Sequence, residues 1–256
     1  MSLHVETTGH GHGPDLALIH GWGMHGGVWD GVRDALAQHC RLHVVDLPGM
    51  GYSLPCTPYT LPQLARLVAE ALPPQADVCG WSFGGQVAQQ LALEYPQQVR
   101  RLLLVGSTPR FVNAPDWQCG IDAAVFRQFA ADVATNYQET MARFLNLQAF
   151  GSEASRSQMR ALRERFAQRP LPDPEALQQA LHILLHTDLR QPLGQLRLPL
   201  LLLHGTRDTL APVAAAHWMA QHLPQAQLSV IAGASHAPFL SHPASFVAEV
   251  NRFLEH

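Results

Sequence analysis

The sequence predicts an α/β fold, a mostly parallel sheet flanked by helices with an all-helical insertion between two of its strands. Short apolar runs alternate with amphipathic segments, the pattern of strands joined by helical crossovers. The run LPLLLLHG at 198–205 is apolar on both faces, as a strand covered by helices on each side must be. From about Arg110 to Arg190 the alternation stops, and only helical patterns such as IDAAVFRQFAADVA and YQETMARFLNLQAF remain, broken by RPLPDP at 169–174. At 256 residues the chain fits one undivided domain, since α/β folds often run to roughly 250 residues.

Taken in order, the strands read as Leu16–His20, Leu42–Asp46, Asp77–Trp81, Arg101–Gly106, Leu198–His204 and Gln227–Ala232. Between the second and third, Thr60 precedes LPQLARLVAEAL, whose apolar residues at 61, 64, 67, 68 and 72 share one helical face. Thr60 is therefore expected as an N-cap, with Pro62 in the first turn. Residues 84–95 and 243–254 read as further helices. The expected organisation is a core of 1–109 and 191–256, with 110–190 inserted as a helical lid over one end of the sheet.

Composition removes several enzyme classes. All 17 basic residues are arginine. Without lysine the chain cannot build a phosphate-cradling P-loop, a pyridoxal-phosphate Schiff base or a kinase ATP site. A net charge of −3 offers no global attraction to nucleic acid or anionic lipid. Cysteines 40, 56, 79 and 119 are too far apart for a redox pair or a zinc knuckle, so a reducing compartment is the simplest setting. The N-terminus has no leader pattern, and no run of about 18 apolar residues occurs. A cytoplasmic monomer without membrane or nucleic-acid partners is expected. The 15 histidines, including His10 and His12, are scattered without ligand spacing, so neither metal nor cofactor is expected.

The chemistry concentrates in Gly80-Trp81-Ser82-Phe83-Gly84, a GxSxG between a predicted strand and a predicted helix. A serine on such a turn is held in strained backbone angles with its hydroxyl at the carboxyl edge of the sheet. That hydroxyl is a weak nucleophile unless a histidine takes its proton and a carboxylate fixes the histidine's tautomer. Asp208 follows the strand LLLHG and His236 follows QLSVIA, so both fall at the same edge as Ser82. The rival acids Asp116 and Asp188 lie in the insertion, and His217 and His242 fall in or beside helices. Backbone N–H groups of Phe83 and of Trp22, in the loop after the first predicted strand, are the candidate oxyanion donors.

The same early loop carries a competing signal. Gly21, Gly23 and Gly26 spell GxGxxG, and Asp46 closes the next strand 20 residues later, which satisfies the dinucleotide fingerprint. A dinucleotide reading leaves Ser82, Asp208 and His236 unexplained, whereas a hydrolase reading uses every one of these motifs.

With these residues in view, the chain resembles the α/β-hydrolases, and within them the pimeloyl-[acyl-carrier protein] methyl ester esterases of biotin synthesis. The likeness runs nearly end to end, through LIHGWGMHGGVW at 18–29, VVDLPGMGYS at 44–53, GWSFGGQVA at 80–88, RFLNLQ at 143–148, TDLRQPL at 187–193, HGTRDTLAP at 204–212 and SHAPFLSHP at 235–243. It implies a cofactor-free carboxylesterase that hydrolyses the methyl ester of a dicarboxyl chain carried by acyl carrier protein. It also implies Ser82, Asp208 and His236 as the triad, Trp22 and Phe83 at the oxyanion and acyl site, and Phe144, Leu145, Asn146, Leu147 and Gln148 along the lid side of the pocket. Phe83 replaces a common leucine, and Glu139 stands where another arginine is expected. A different small ester, C–C bond hydrolysis or lysis, and a silent ligand-binding role are the alternatives on the same fold.

Between 141 and 170, arginines 143, 156, 160, 163, 165 and 169 face only Glu153 and Glu164, and acyl carrier protein is acidic. Arg143, Arg156 and Arg160 are therefore the candidates for docking the carrier, with solvated helix arginines as the alternative.

Overall fold

The computed structural model describes residues 2–9, 13–147, 163–164 and 167–255, the side chains of Gln138, Asn146 and Leu147 apart. Its strands are β1 (Val5–Thr8), β2 (Asp15–Ile19), β3 (Arg41–Val45), β4 (Ala76–Trp81), β5 (Val99–Val105), β6 (Leu200–Gly205) and β7 (Ala226–Ile231). Among the described residues these form one sheet in the order β1-β3-β2-β4-β5-β6-β7. Every pairing is parallel except that of β1 with β3. The six predicted strands are present within two residues at each end, and β1 is additional. Its sequence VETT is a short, half-exposed edge segment without an apolar run, so no hydrophobic pattern announced it.

Helices α1 (Asp30–Ala37), α2 (Leu61–Ala71) and α3 (Phe83–Glu94) serve the crossovers before β5. Thr60 caps α2 as expected, its Oγ1 accepting the Gln63 N–H at 3.4 Å. The insertion between β5 and β6 carries α4 (Ala123–Thr135), α5 (Tyr137–Leu147), α6 (Pro174–His186) and the short α7 (Arg190–Leu193). Then follow α8 (Val213–His222), α9 (Pro238–Ser241) and α10 (Pro243–Leu254). Helix α2 packs on α3 and α1 on α10. Leu201, Leu202 and Leu203 of β6 are fully removed from water, which stabilises the sheet by ~1.5–3 kcal/mol per side chain. Trp29 seals one side by packing on Phe239 at 4.3 Å and Phe246 at 6.2 Å.

The insertion departs from the all-helical expectation at its start. Residues 110–122 form a loop closed by isolated bridges, Val112 to Ile121 and Ala114 to Trp117. The Ala114-Pro-Asp-Trp117 turn explains this, because Pro115 has no N–H to continue a helix, the Trp117 N–H donates to the Ala114 carbonyl at 2.9 Å, and Asn113 Oδ1 accepts the Gly120 N–H at 2.8 Å. Among the described residues no helix is long and apolar enough to cross a membrane.

Candidate active site

The carboxyl edge of the sheet gathers the chemistry. Ser82 directly follows β4 with φ +55° and ψ −118°, the sole non-glycine residue with positive φ among those described. Such backbone strain costs about 1–3 kcal/mol and persists only where the surroundings impose it. The turn is imposed by close approach: a Cβ on Gly80 would sit 2.4 Å from the Gly84 carbonyl oxygen, and one on Gly84 2.3 Å from that of His20. Ser107 Oγ also donates to the Ser82 carbonyl at 2.8 Å, and the Ser82 N–H donates to Val105 O at 2.9 Å.

His236 follows β7, and its Nδ1–H donates to Asp208 Oδ1 at 3.0 Å and Oδ2 at 2.9 Å. Asp208 follows β6, and its Oδ1 also accepts the N–H groups of Leu210 and Ala211, each at 2.8 Å. With Nδ1 protonated toward the carboxylate, Nε2 is left as the basic nitrogen. The histidine loop is pinned by Trp81, whose Nε1–H donates to the His236 carbonyl at 2.9 Å.

Ser82 and His236 line one cavity of about 140 Å³. Its walls come from the insertion: Phe126 and Phe129 of α4, Phe144 of α5, Leu181 and Leu184 of α6, with Phe111 and Ile121 from the preceding loop. Among the described residues neither arginine nor carboxylate borders it. Such a cavity suits an uncharged, extended apolar chain. Val125 lines it too and is 62% exposed, marking an opening. Apart from Phe144, sequence reasoning missed these walls. The helical pattern of IDAAVFRQFAADVA marks a helix there but not what its apolar face looks at.

Trp22 lines the cavity with its ring, its Nε1–H donates to Leu177 O of α6 at 3.0 Å, and it meets Phe129 and Phe144 edge-on. Phe83 is a partial correction. Its N–H is the first of α3 and lacks an acceptor within the helix, but its side chain is fully buried away from the cavity. The side chain after the turn leaves in another direction from that of Ser82, so Phe83 cannot set pocket width. Leu145 is likewise buried outside the cavity lining, because it is turned about 100° around α5 from Phe144. The side chains of Asn146 and Leu147, and all of Gln148, Arg156 and Arg160, lie outside the described residues, as do His10 and His12.

Arg143 is exposed on α5, with Nη2 3.9 Å from Asp132 Oδ2. Glu139, one turn earlier, accepts from Asn136 Nδ2 at 2.6 Å in the first turn of α5, where a carboxylate suits the helix dipole. Arg169 corrects the count of basic lid residues. Its side chain is 10% exposed, with Nη1 on both Asp46 oxygens at 3.0 and 2.9 Å and Nη2 on Glu6 at 2.6 Å. The rival acids are spent elsewhere: Asp188 holds Arg110 at 2.7 Å and Arg190 at 2.6 Å, and Asp116 holds Arg190 at 2.9 Å.

Asp46 also answers the GxGxxG signal. It is fully buried, with Oδ1 accepting the Gly26 N–H at 2.6 Å and Oδ2 the Tyr52 N–H at 3.0 Å, so a ribose finds no free carboxylate. Burial pushes its carboxyl up, but His20, the Tyr52 and Gly26 amides and Arg169 outweigh that and hold it below its usual range. His20 is driven down to about 4, burial outweighing the pull of Asp46. Its neutral ring donates from Nδ1 to Gly21 O at 2.8 Å and accepts the Leu47 N–H on Nε2 at 2.9 Å. The four cysteines are unpaired thiols, and burial raises Cys79 to about 12. Among the described residues no group of three or more metal-ligating side chains converges.

Comparison with known proteins agrees with this arrangement. Residues 16–243 match the family model described as the alpha/beta hydrolase fold. The chain is 47% identical over 247 residues to the pimeloyl-[acyl-carrier protein] methyl ester esterase of Nitrosomonas europaea, covering 96% of this chain and 97% of that one. It is 42% identical to the protein of that name from Nitrosospira multiformis, covering 99% and 98%. Among solved structures, an esterase from Exiguobacterium antarcticum superposes with a TM-score of 0.90 at 21% identity, over 99% of this chain and 96% of that one, and shares the fold. A hydrolase from Pseudomonas aeruginosa gives 0.85 at 28% identity, over 99% and 94%.

Proposed function

Because this chain belongs to the alpha/beta hydrolase family, and within it to the pimeloyl-[acyl-carrier protein] methyl ester esterases, we propose that it hydrolyses the methyl ester of a pimeloyl chain borne by acyl carrier protein. The observation that carries the reading is the cavity in which a strained serine and a carboxylate-held histidine are the polar reactive groups on an otherwise apolar wall. In this reading His236 Nε2 takes the Ser82 proton as Oγ attacks the ester carbonyl. The oxyanion is met by the N–H groups of Phe83 and Trp22. Collapse breaks the bond to the methoxy oxygen, which leaves as methanol with the proton from His236. Water, deprotonated by His236, then attacks the acyl-enzyme and frees the carboxylate and Ser82.

Size decides which end of the substrate enters. A cavity of about 140 Å³ cannot admit a carrier protein, so the thioester end stays at the opening and the methyl ester reaches Ser82. Incubation with methyl pimeloyl-acyl carrier protein should remove the methyl group while the acyl chain stays on the carrier, as read by mass spectrometry. Loss of the whole acyl chain, or no change, would overturn the assignment. Labelling by a fluorophosphonate separates this enzyme from a silent binding protein, since only an activated serine reacts.

The insertion acts as a lid in this reading, and the carrier docks on it through Arg143, Arg156 and Arg160. Arg143 supports this by its exposure, 59% of the side chain. Charges of this kind steer encounter and are screened by salt. Replacing all three with alanine should lower kcat/KM for the carrier-bound ester at least about tenfold at low salt, roughly 1.4 kcal/mol, and leave a small free ester unchanged. Equal losses on both substrates would point to a damaged lid, and no loss on either would return these arginines to solvent.

A further inference from the structure

The loop of residues 20–26 carries Trp22, and it is tied at both ends to neighbouring residues just beyond β3. At its start, His20 donates to the Gly21 carbonyl at 2.8 Å and accepts the Leu47 N–H at 2.9 Å. The Gly21 carbonyl and the Trp22 N–H belong to one trans peptide, so holding the oxygen toward His20 aims the N–H the opposite way. That peptide lies against the nucleophile: a Cβ on Gly21 would come within 3.2 Å of Ser82 Cβ. At the far end, the Gly26 N–H donates to Asp46 Oδ1 at 2.6 Å.

Arg169 brings the insertion into this arrangement. It stands within the insertion just before α6, and its guanidinium spans both Asp46 oxygens and Glu6. It lies against the loop itself, since Cβ atoms on Gly26 and Gly27 would meet it at 3.4 and 3.5 Å, and it stacks 5.2 Å from the Tyr52 ring centre. Arg33 holds the other oxygen of Glu6 at 2.6 Å, which extends the chain of charges from Asp46 through Arg169 and Glu6 to Arg33. Removing Arg169 leaves Asp46 buried with its charge unpaired, and the carboxylate that fixes Gly26 must protonate or shift.

We infer that Arg169 is a positioning residue for the oxyanion site, coupling the insertion through Asp46 to the loop that presents the Trp22 N–H. The inference rests on the reading of Trp22 as an oxyanion donor. It also gives the GxGxxG spacing a role: Asp46 sits 20 residues beyond Gly26 because it is that residue's hydrogen-bond acceptor.

The test compares Arg169→Met and Arg169→Lys with the unaltered protein, using a short-chain p-nitrophenyl ester and a trifluoromethyl ketone whose serine adduct places an oxyanion at the donors. Each preparation is first titrated with a fluorophosphonate, so that rates refer to competent sites. Arg169→Met should lose about tenfold or more in kcat while KM stays within about twofold, because small displacements of a donor act on the transition state. Ketone affinity should fall by the same factor, and Arg169→Lys should recover most of both losses. Full titration with kcat and ketone affinity within about twofold of the unaltered protein would overturn the coupling, as would a kcat loss without a matching loss of ketone affinity. Should Arg169→Met fail to fold, Asp46→Asn takes its place: matched losses of kcat and ketone affinity support the coupling, and unchanged or unmatched values overturn it. If the unaltered protein does not titrate at all, the serine-hydrolase reading itself has failed.

Discussion

Replacing Ser82 with alanine leaves at most about one part in 10⁴ of the wild-type kcat on a short-chain ester, because members of a nucleophile–base unit fail together. Among the described residues the cavity supplies no understudy, since their lining offers no second hydroxyl, thiol or carboxylate. Cys79 on β4 is fully buried with its thiol pushed up to about 12, so it provides no thiolate near neutral pH. The fold should survive the change. The contacts that hold the turn, Ser107 Oγ to the Ser82 carbonyl and the Ser82 N–H to Val105, are made by the backbone of residue 82 and remain in the variant. Initial rates and thermal unfolding midpoints check the two halves of this expectation. Retention of a tenth of the activity would show that another group performs the chemistry.

The positions of Ser82, Asp208 and His236 were legible because each follows an apolar run, and runs of that kind become parallel strands whose carboxyl ends share one edge. The same rule separated Asp208 from Asp188. The walls of the cavity were not legible, since periodicity marks Phe126 and Phe129 as one face of α4 without naming its partner. Arg169 misled for a related reason. It stands in an arginine-rich stretch, and composition cannot tell a solvated arginine from one whose charge is spent on Asp46 and Glu6. Phe83 shows the limit at a single residue: the motif places it first in the helix after the serine, while its side chain obeys the packing of the core. The edge strand β1 escaped because four half-exposed residues carry too little apolar pattern to register.

Asp208→Asn should reduce kcat on the same ester by about 10⁴-fold near neutral pH with little change in stability, and the hydrogen bonds say why. Asp208 Oδ1 accepts two backbone N–H groups, from Leu210 and Ala211 at 2.8 Å each. An asparagine must keep its carbonyl oxygen there, since turning its NH₂ toward two donors leaves both unpaired in a buried place. Its NH₂ then faces His236 Nδ1, now 2.9 Å from Oδ2, and can only donate. Nδ1 becomes the acceptor and the proton moves to Nε2, the nitrogen that takes the proton of Ser82 in the proposed mechanism. The imidazolium formed during turnover also loses its counter-charge. The rate of fluorophosphonate labelling should fall with kcat, because both need the same base. Asp188→Asn provides the contrast: Asp188 pairs with Arg110 and Arg190 and does not line the cavity, so its loss should change kcat by less than about threefold. Comparable losses in the two variants, or an Asp208→Asn protein with more than about a tenth of normal activity, would remove Asp208 from the role given to it here.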